Sequence, residues 1–137
     1  MNHSDTVELT IPCRPEYVGV ARLAVLGIAS RMPFSYDEVE DVRLAVGEAC
    51  THAVERAGST TATIRIVSTI DAHALVIEVA DDVAVGTEPK PPPDGEGLLG
   101  MDQQGLGALL IEILVDEAKI DSRPDGTTVR LKKYAPE

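Results

Sequence analysis

The chain has 137 residues, 44% of them apolar, and a formal net charge of −11. This length fits one domain over residues 1–137, with enough apolar side chains for a single core. The acidic charge argues against a direct nucleic-acid partner and favours basic protein partners, and no apolar run reaches the roughly 18 residues that span a bilayer.

The first predicted elements are a strand and a helix. Apolar and polar residues alternate from Thr6 to Ile11, as in a short strand, and two prolines then break the pattern. From Glu16 to Arg31 the pattern is helical and apolar on two sides. Arg22 falls in the middle of the side that holds Val18 and Leu26.

Arg22 has two interpretations. It can lie at the core margin, with its stem packed and its guanidinium in water. Alternatively, an apolar helical surface with one central arginine has the composition of an interface hot spot. We therefore predict a partner-binding face formed by Arg22, Val18 and Leu26.

A second helix is predicted from Ser35, which has the spacing of a capping box with Glu38, to about Ala57, where a glycine follows. Glu48 and His52 share the side opposite its apolar stripe. Seen alone, such a pair is an ordinary contact between residues four apart.

Two strands follow, over 61–68 and 74–81, with a turn at 71–73. Asp81 and Asp82 end the second strand, where a sheet delivers polar groups to a cleft. We therefore treat this strand end as part of a candidate binding site.

Residues 83–104 show no sustained period and contain three consecutive prolines. A loop of this length is typical of a lid or a disordered connection, and we predict a lid. Gly105 and Gly107 come next, before a buried helix predicted over 108–115. Glycines before a helix N-terminus let backbone N–H groups approach an anion.

The last predicted elements are two strands, Glu117 to Ser122 and Thr127 to Lys133, around a turn at 124–126. The complete order is strand, two helices, two strands, lid, helix and two strands. This order predicts an α/β two-layer sandwich in which helices pack on one mostly antiparallel sheet.

The two cysteines, Cys13 and Cys50, form no CxxC pair, and no signal-peptide pattern precedes them. We therefore expect reduced thiols and a cytoplasmic protein.

Four segments in this order resemble one known family: RLAVGEACTHA at 43–53, VADD at 79–82, GLGALLIEILVDE at 105–117 and GTTVRLKK at 126–133. They are similar to segments of the RsbW and SpoIIAB type of anti-sigma factors and serine-protein kinases of Gram-positive bacteria, within the GHKL (Bergerat-fold) ATPases. The resemblance covers nearly the whole chain and implies the Bergerat fold.

The resemblance also implies a pocket for ATP and Mg²⁺. Glu48 matches a general base that activates water or a partner's serine for phosphoryl transfer, and Asp81 matches an aspartate that reads adenine. The remaining matches lie in the phosphate loop and near the base: Gly105, Gly107, and Thr127 or Thr128.

Two departures from the family pattern affect this pocket. His52 stands where the family has an asparagine that holds Mg²⁺, and an imidazole is a poorer ligand for this hard cation. Val83 and Val85 stand at the two glycine positions of Asp-x-Gly-x-Gly, and a β-branched residue allows neither close approach nor positive φ without cost. We therefore expect weakened or lost kinase activity, with His52 as a weak metal ligand.

The function that the resemblance implies is that of an anti-sigma factor. It would sequester an alternative sigma factor of the stress or developmental class, and a STAS-type anti-anti-sigma protein would release it. A homodimer is expected because the family usually forms one. Two alternatives stay open: an active serine kinase that phosphorylates its antagonist, and a sequestrator whose altered pocket binds a non-nucleotide ligand such as a sugar.

Overall fold

A computed structural model describes residues 4–57, 61–84 and 103–136, with side chains from 106 onward in the last range. Most of the predicted lid lies outside these residues. The elements are β1 (Asp5–Pro12), α1 (Pro15–Ala29), α2 (Tyr36–Ala57), β2 (Thr63–Ile70), β3 (Ala74–Asp81), α3 (Gln103–Leu114), β4 (Glu117–Arg123) and β5 (Gly126–Tyr134). No helix in the described part of the chain is both long and apolar enough to cross a membrane.

The five strands found in the described residues form one sheet in the order β1-β2-β3-β5-β4, and every neighbouring pair is antiparallel. The predicted two-layer α/β fold is therefore confirmed. The order places β5 between β3 and β4, although β4 precedes it in the sequence. In this register Asp81, at the end of β3, lies opposite Thr127, near the start of β5.

The core lies between the helices and one face of the sheet. Successive side chains of a strand point to opposite faces, so alternate residues of β2, β3 and β5 are buried. The largest of these are Ile64, Ile66, Leu75, Ile77 and Leu131, each at most 2% exposed. Burying a side chain of this size contributes about 1.5–3 kcal/mol.

Helix α1 starts with Pro15 at its first position, where the missing N–H costs nothing. Its buried face is formed by residues spaced three or four apart: Val18, Ala21, Val25 and Ala29. Val18 is only 6% exposed, so the prediction that it belongs to a partner-binding surface is corrected. Nearly all of α1 is apolar, and the pattern therefore did not distinguish its buried side from its exposed side.

Helix α2 begins at the predicted capping box. The backbone N–H of Ser35 donates to Glu38 Oε1 at 2.9 Å, and the backbone N–H of Glu38 donates to Ser35 Oγ at 3.1 Å. Two N–H groups that the helix itself leaves unpaired are thereby satisfied, which confirms the predicted start of α2.

Helix α3 differs from the prediction in two respects. It begins at Gln103, so Gly105 and Gly107 lie within its first turns rather than before it. It also has an exposed apolar side, since Leu106 and Leu110 are each 42% exposed and Ile113 is 71% exposed. Packing against α2 and the sheet thus covers only part of this short apolar helix.

Candidate functional site

One face of α2 carries three polar side chains at steps of four residues: Glu48, His52 and Arg56. Residues four apart lie on the same face of a helix, and the first and third are about 12 Å apart along its axis. We call this face, together with Asp81 of β3 and Gly107 of α3, the α2 site.

At one end of the α2 site, His52 Nε2 lies 3.2 Å from Glu48 Oε1. The His52 side chain is 13% exposed and that of Glu48 is 29% exposed. Nε2 is buried and has no hydrogen-bond partner among the described residues, so the contact with Glu48 is close but poorly aligned.

Gly107 lets α3 approach this pair. A β-carbon at position 107 would lie 1.8 Å from His52 Nε2 and 2.6 Å from Glu48 Oε1. The histidine therefore occupies the space directly beneath the start of α3. Beside it, a groove of about 290 Å³ is lined by Glu48, Thr51, Glu55, Leu106, Gly107 and Leu110.

At the other end, Asp81 is held by an arginine of the same chain. Arg56 Nη2 donates to Asp81 Oδ2 at 2.7 Å, and the Asp81 side chain is only 5% exposed. Asp81 Oδ1 accepts from the backbone N–H groups of Val83 at 3.0 Å and Thr127 at 3.3 Å. Three of the roughly four acceptor positions of this carboxylate are thus used within the chain.

The two threonines that matched one family position lie on opposite faces of the sheet. Thr127 is 7% exposed and its backbone N–H reaches Asp81, whereas Thr128 Oγ1 accepts from Arg123 at 3.2 Å. Gly126, just before them, brings β5 against β3, since a β-carbon there would lie 2.0 Å from the Asp81 carbonyl oxygen. Of the two, Thr127 is the one beside the α2 site.

Val83 is 4% exposed and belongs to the hydrophobic core. Its side chain therefore fills space immediately after Asp81, where a glycine would leave the backbone open. Val85 lies outside the described residues.

Arg56 was missed by the sequence reasoning. Its partner Asp81 is 25 residues away in the chain, and only the folded structure brings the two together. A signal was present, because Arg56 follows Glu48 and His52 at the same four-residue step.

A second surface surrounds Arg22. Its guanidinium lies against the backbone of α2 at Gly47, where a β-carbon would fall 2.4 Å from Arg22 Nε. Nε is buried and has no hydrogen-bond partner among the described residues. The stem of Arg22 is thus packed between α1 and α2, as expected for a half-buried arginine at the core margin.

Arg22 borders a groove of about 460 Å³ between these helices, and the groove is mostly apolar. Its lining comprises Glu16, Gly19, Val20, Arg22, Leu23, Leu26 and Arg43. Leu23 is 70% exposed, Val20 45% and Leu26 37%. We call this surface the α1 groove. Leu26, Val20 and Leu23 line this groove and the buried Val18 does not, and the partner-binding role of Arg22 and Leu26 stays a prediction.

The antiparallel sheet, with the helices of the described residues packed on it, and the α2 site define a histidine kinase-like ATPase domain, and residues 11–133 match the family model of that description. A solved structure with the same fold contains the RsbU and RsbW domains of Rv1364c from Mycobacterium tuberculosis. The TM-score is 0.72 at 17% identity, over 97% of this chain and 33% of that one.

Two similar proteins identify the family within this class of ATPase domains. The serine-protein kinase RsbW of Bacillus subtilis is 36% identical over 97% of this chain and 88% of its own length. The RsbW of Oceanobacillus iheyensis is 37% identical over the whole of this chain and 91% of its own length. The chain therefore belongs to the RsbW-type anti-sigma factors of the GHKL fold.

The residues of the α2 site do not fit an adenine nucleotide with its Mg²⁺. The carboxylate that matches the adenine-reading aspartate is buried and paired with Arg56. A buried valine follows it, and the position of the metal-binding asparagine holds an imidazole packed beneath Gly107. The roles of Glu48, His52, Asp81 and the glycines in nucleotide chemistry stay predictions.

Proposed function

We propose that this chain is an anti-sigma factor that sequesters an alternative sigma factor through the α1 groove and does so without ATP. An anti-anti-sigma protein would release the sigma factor by competing for an overlapping surface. The single observation that carries this proposal is the half-buried Arg22 with an unpartnered Nε, at the edge of an exposed apolar groove.

The α1 groove has the properties of a binding surface. Three large apolar side chains, Val20, Leu23 and Leu26, are exposed along one side of α1. Contiguous apolar surface surrounded by charged groups is typical of protein interaction sites. Because the Arg22 stem is held against α2, little side-chain entropy remains to be lost when its guanidinium binds a partner carboxylate.

Family membership supports the choice of partners, since RsbW-type proteins belong to the partner-switching anti-sigma factors. We extend this to a cytoplasmic homodimer, which light scattering coupled to gel filtration measures directly. The identity of the sigma factor is left to the binding experiment.

A working serine kinase is the second candidate, and Glu48 is the observation that favours it. This carboxylate is 29% exposed at the edge of the groove between α2 and α3, so it has access to a substrate hydroxyl. Phosphoryl transfer, however, depends on a positioned metal and nucleotide, and the α2 site does not fit them. Incubation with labelled ATP and the antagonist is expected to leave the antagonist unphosphorylated.

The proposal is tested by titrating the chain with alternative sigma factors of the stress or developmental class in the presence of EDTA and without nucleotide. Arg22→Glu is expected to weaken binding by about tenfold or more, since a partner carboxylate would then face a like charge. Arg65→Glu, on the outer face of the sheet, makes the same charge change away from the groove. Equal affinity of Arg22→Glu and the parent chain would show that the groove is not the sigma-binding surface.

A further inference from the structure

Within the α2 site, the pairing of Arg56 with Asp81 has a consequence for ligand choice. The Asp81 carboxylate is the acceptor that the family resemblance assigns to the exocyclic amine of adenine. In this chain that acceptor faces Arg56 Nη2 at 2.7 Å. Arg56 thus occupies the position that the amine of a bound adenine would need in order to donate to Asp81.

The burial of both side chains makes this pairing persistent. The Arg56 side chain is 18% exposed and that of Asp81 is 5% exposed. A pair removed from water in this way is only weakly screened by salt. If either side chain moved away, the charge of the other would stay buried without a counter-charge, which is unfavourable. A charged, bonded pair of this kind competes directly with a neutral amine for the same carboxylate.

Arg56 also changes the polarity of this end of the site. Guanidinium carries only donors, and Nη1 of Arg56 is buried without a hydrogen-bond partner among the described residues. The adenine amine is likewise a donor, so the base would meet donors where it needs an acceptor. Burying two donors without an acceptor is unfavourable.

We propose that Arg56 is the specificity-determining residue that excludes adenine from this chain, by taking the place of the base at Asp81. The inference deepens the proposed function, since it explains how sigma sequestration can proceed without ATP. It concerns the base end of the site, whereas the effects of His52 concern the metal and phosphate end.

The test measures ADP binding in EDTA, which removes any dependence on a metal, by isothermal calorimetry on the full chain. The parent chain is expected to show no saturable heat at millimolar ADP. Arg56→Met removes the guanidinium while keeping a long unbranched side chain. It is expected to bind ADP about tenfold more tightly or better, corresponding to one charge-assisted hydrogen bond returned to the ligand.

Two further variants control this result. Arg65→Met removes an arginine that pairs with Glu8 on the outer face of the sheet and should bind ADP no better than the parent. Asp81→Asn added to Arg56→Met should abolish the gain, because an amide presents fewer acceptor positions than a carboxylate. Circular dichroism establishes that each variant is folded.

Arg56→Met leaves the buried carboxylate without its counter-charge and is expected to be less stable than the parent. Arg56→Lys keeps the charge but loses the planar fork, and it serves where the methionine variant does not fold. Its gain in ADP affinity should be smaller than that of Arg56→Met, because a flexible ammonium still competes for the Asp81 carboxylate but holds it less firmly than the guanidinium. The proposal is overturned if a folded Arg56 variant binds ADP no more tightly than the parent chain does. Sigma binding is measured separately through Arg22, so either proposal can fail without the other.

Discussion

The imidazole of His52 lies directly against the Cα of Gly107, so that a β-carbon at this glycine would fall 1.8 Å from Nε2. The first turns of α3 can therefore sit on α2 only because residue 107 has no side chain. The same contact fixes the position of His52, and through it the position of the neighbouring Glu48 carboxylate.

Gly107→Ala is accordingly expected to destabilise the protein by about 1–3 kcal/mol, the usual cost of overpacking. The measurement is urea unfolding followed by circular dichroism. Gly27→Ala is the matched control, because nothing lies within 4 Å of a β-carbon there and alanine is favoured over glycine in a helix by about 0.5–1 kcal/mol. Adding His52→Ala should restore much of the lost stability. A Gly107→Ala protein as stable as the parent would contradict the close packing of α3 on α2.

Asp71 gives the protein a predicted dependence on acidic pH. Its Oδ1 accepts the backbone N–H groups of His73 at 2.7 Å and Ala74 at 2.8 Å, and these bonds lower the pKa of the carboxyl below its ordinary value of 3.8. Because the pKa of Asp71 is lower in the folded protein than in the unfolded chain, the ionised carboxylate stabilises the fold at pH values above the unfolded-state pKa. This stabilisation is lost as the pH falls through the folded-state pKa.

Asp71→Ala should therefore lower the melting temperature at pH 7, and the difference from the parent should shrink as the pH is taken below 3.8. Thermal unfolding across this pH range is the measurement. Asp125→Ala is the control, since the Asp125 side chain lies in the β4–β5 turn and is 90% exposed. A difference that stays constant at all pH values would argue against a role for the Asp71 charge.

The buried thiols predict slow chemical modification. Burial raises the pKa of Cys50 to about 12, and burial together with the nearby Asp81 raises the pKa of Cys13. The thiolate is the reactive form, so the raised pKa keeps Cys50 in its unreactive thiol form at pH 8. Iodoacetamide should label both cysteines rapidly in denaturant and slowly in the native protein.

The variant Ser30→Cys, at an exposed position, provides the reference rate of iodoacetamide labelling for an accessible thiol. Native Cys50 should react far more slowly than this reference, as followed by mass spectrometry. Equal rates would mean that the core around α2 opens readily.

Local and periodic features of the fold were predictable from the sequence. The capping box of α2 involves only residues three apart, and its spacing therefore defined the helix start. Strand β3 was predicted with its observed bounds, 74–81, and β2 was predicted two residues too early, because a run of residues bounded by a turn is a local pattern. The turn at 71–73 likewise depends on hydrogen bonds that Asp71 Oδ1 accepts from the backbone N–H groups two and three positions later.

Features that depend on contacts between distant elements were not predictable in this way. Helix α1 is apolar on almost every side, so its pattern does not separate buried from exposed residues. The buried Val18 was therefore expected on the surface. The start of α3 was set too late because glycine is a poor helix former, and packing on His52 outweighs that preference. The partner of Arg56 depends on how β3 is placed against α2, which no local pattern specifies.

The strand order also constrains when parts of the chain can join the fold. Strand β4 pairs with β5 alone among the described strands, and β5 in turn pairs with β3. During synthesis, β4 must therefore wait for a strand that leaves the ribosome after it. Asp81 and Thr127, which meet in the sheet, are 46 residues apart. Closing this loop carries an entropic cost that the local β2–β3 hairpin avoids, so this hairpin is able to form while the Asp81 end of the α2 site is still incomplete.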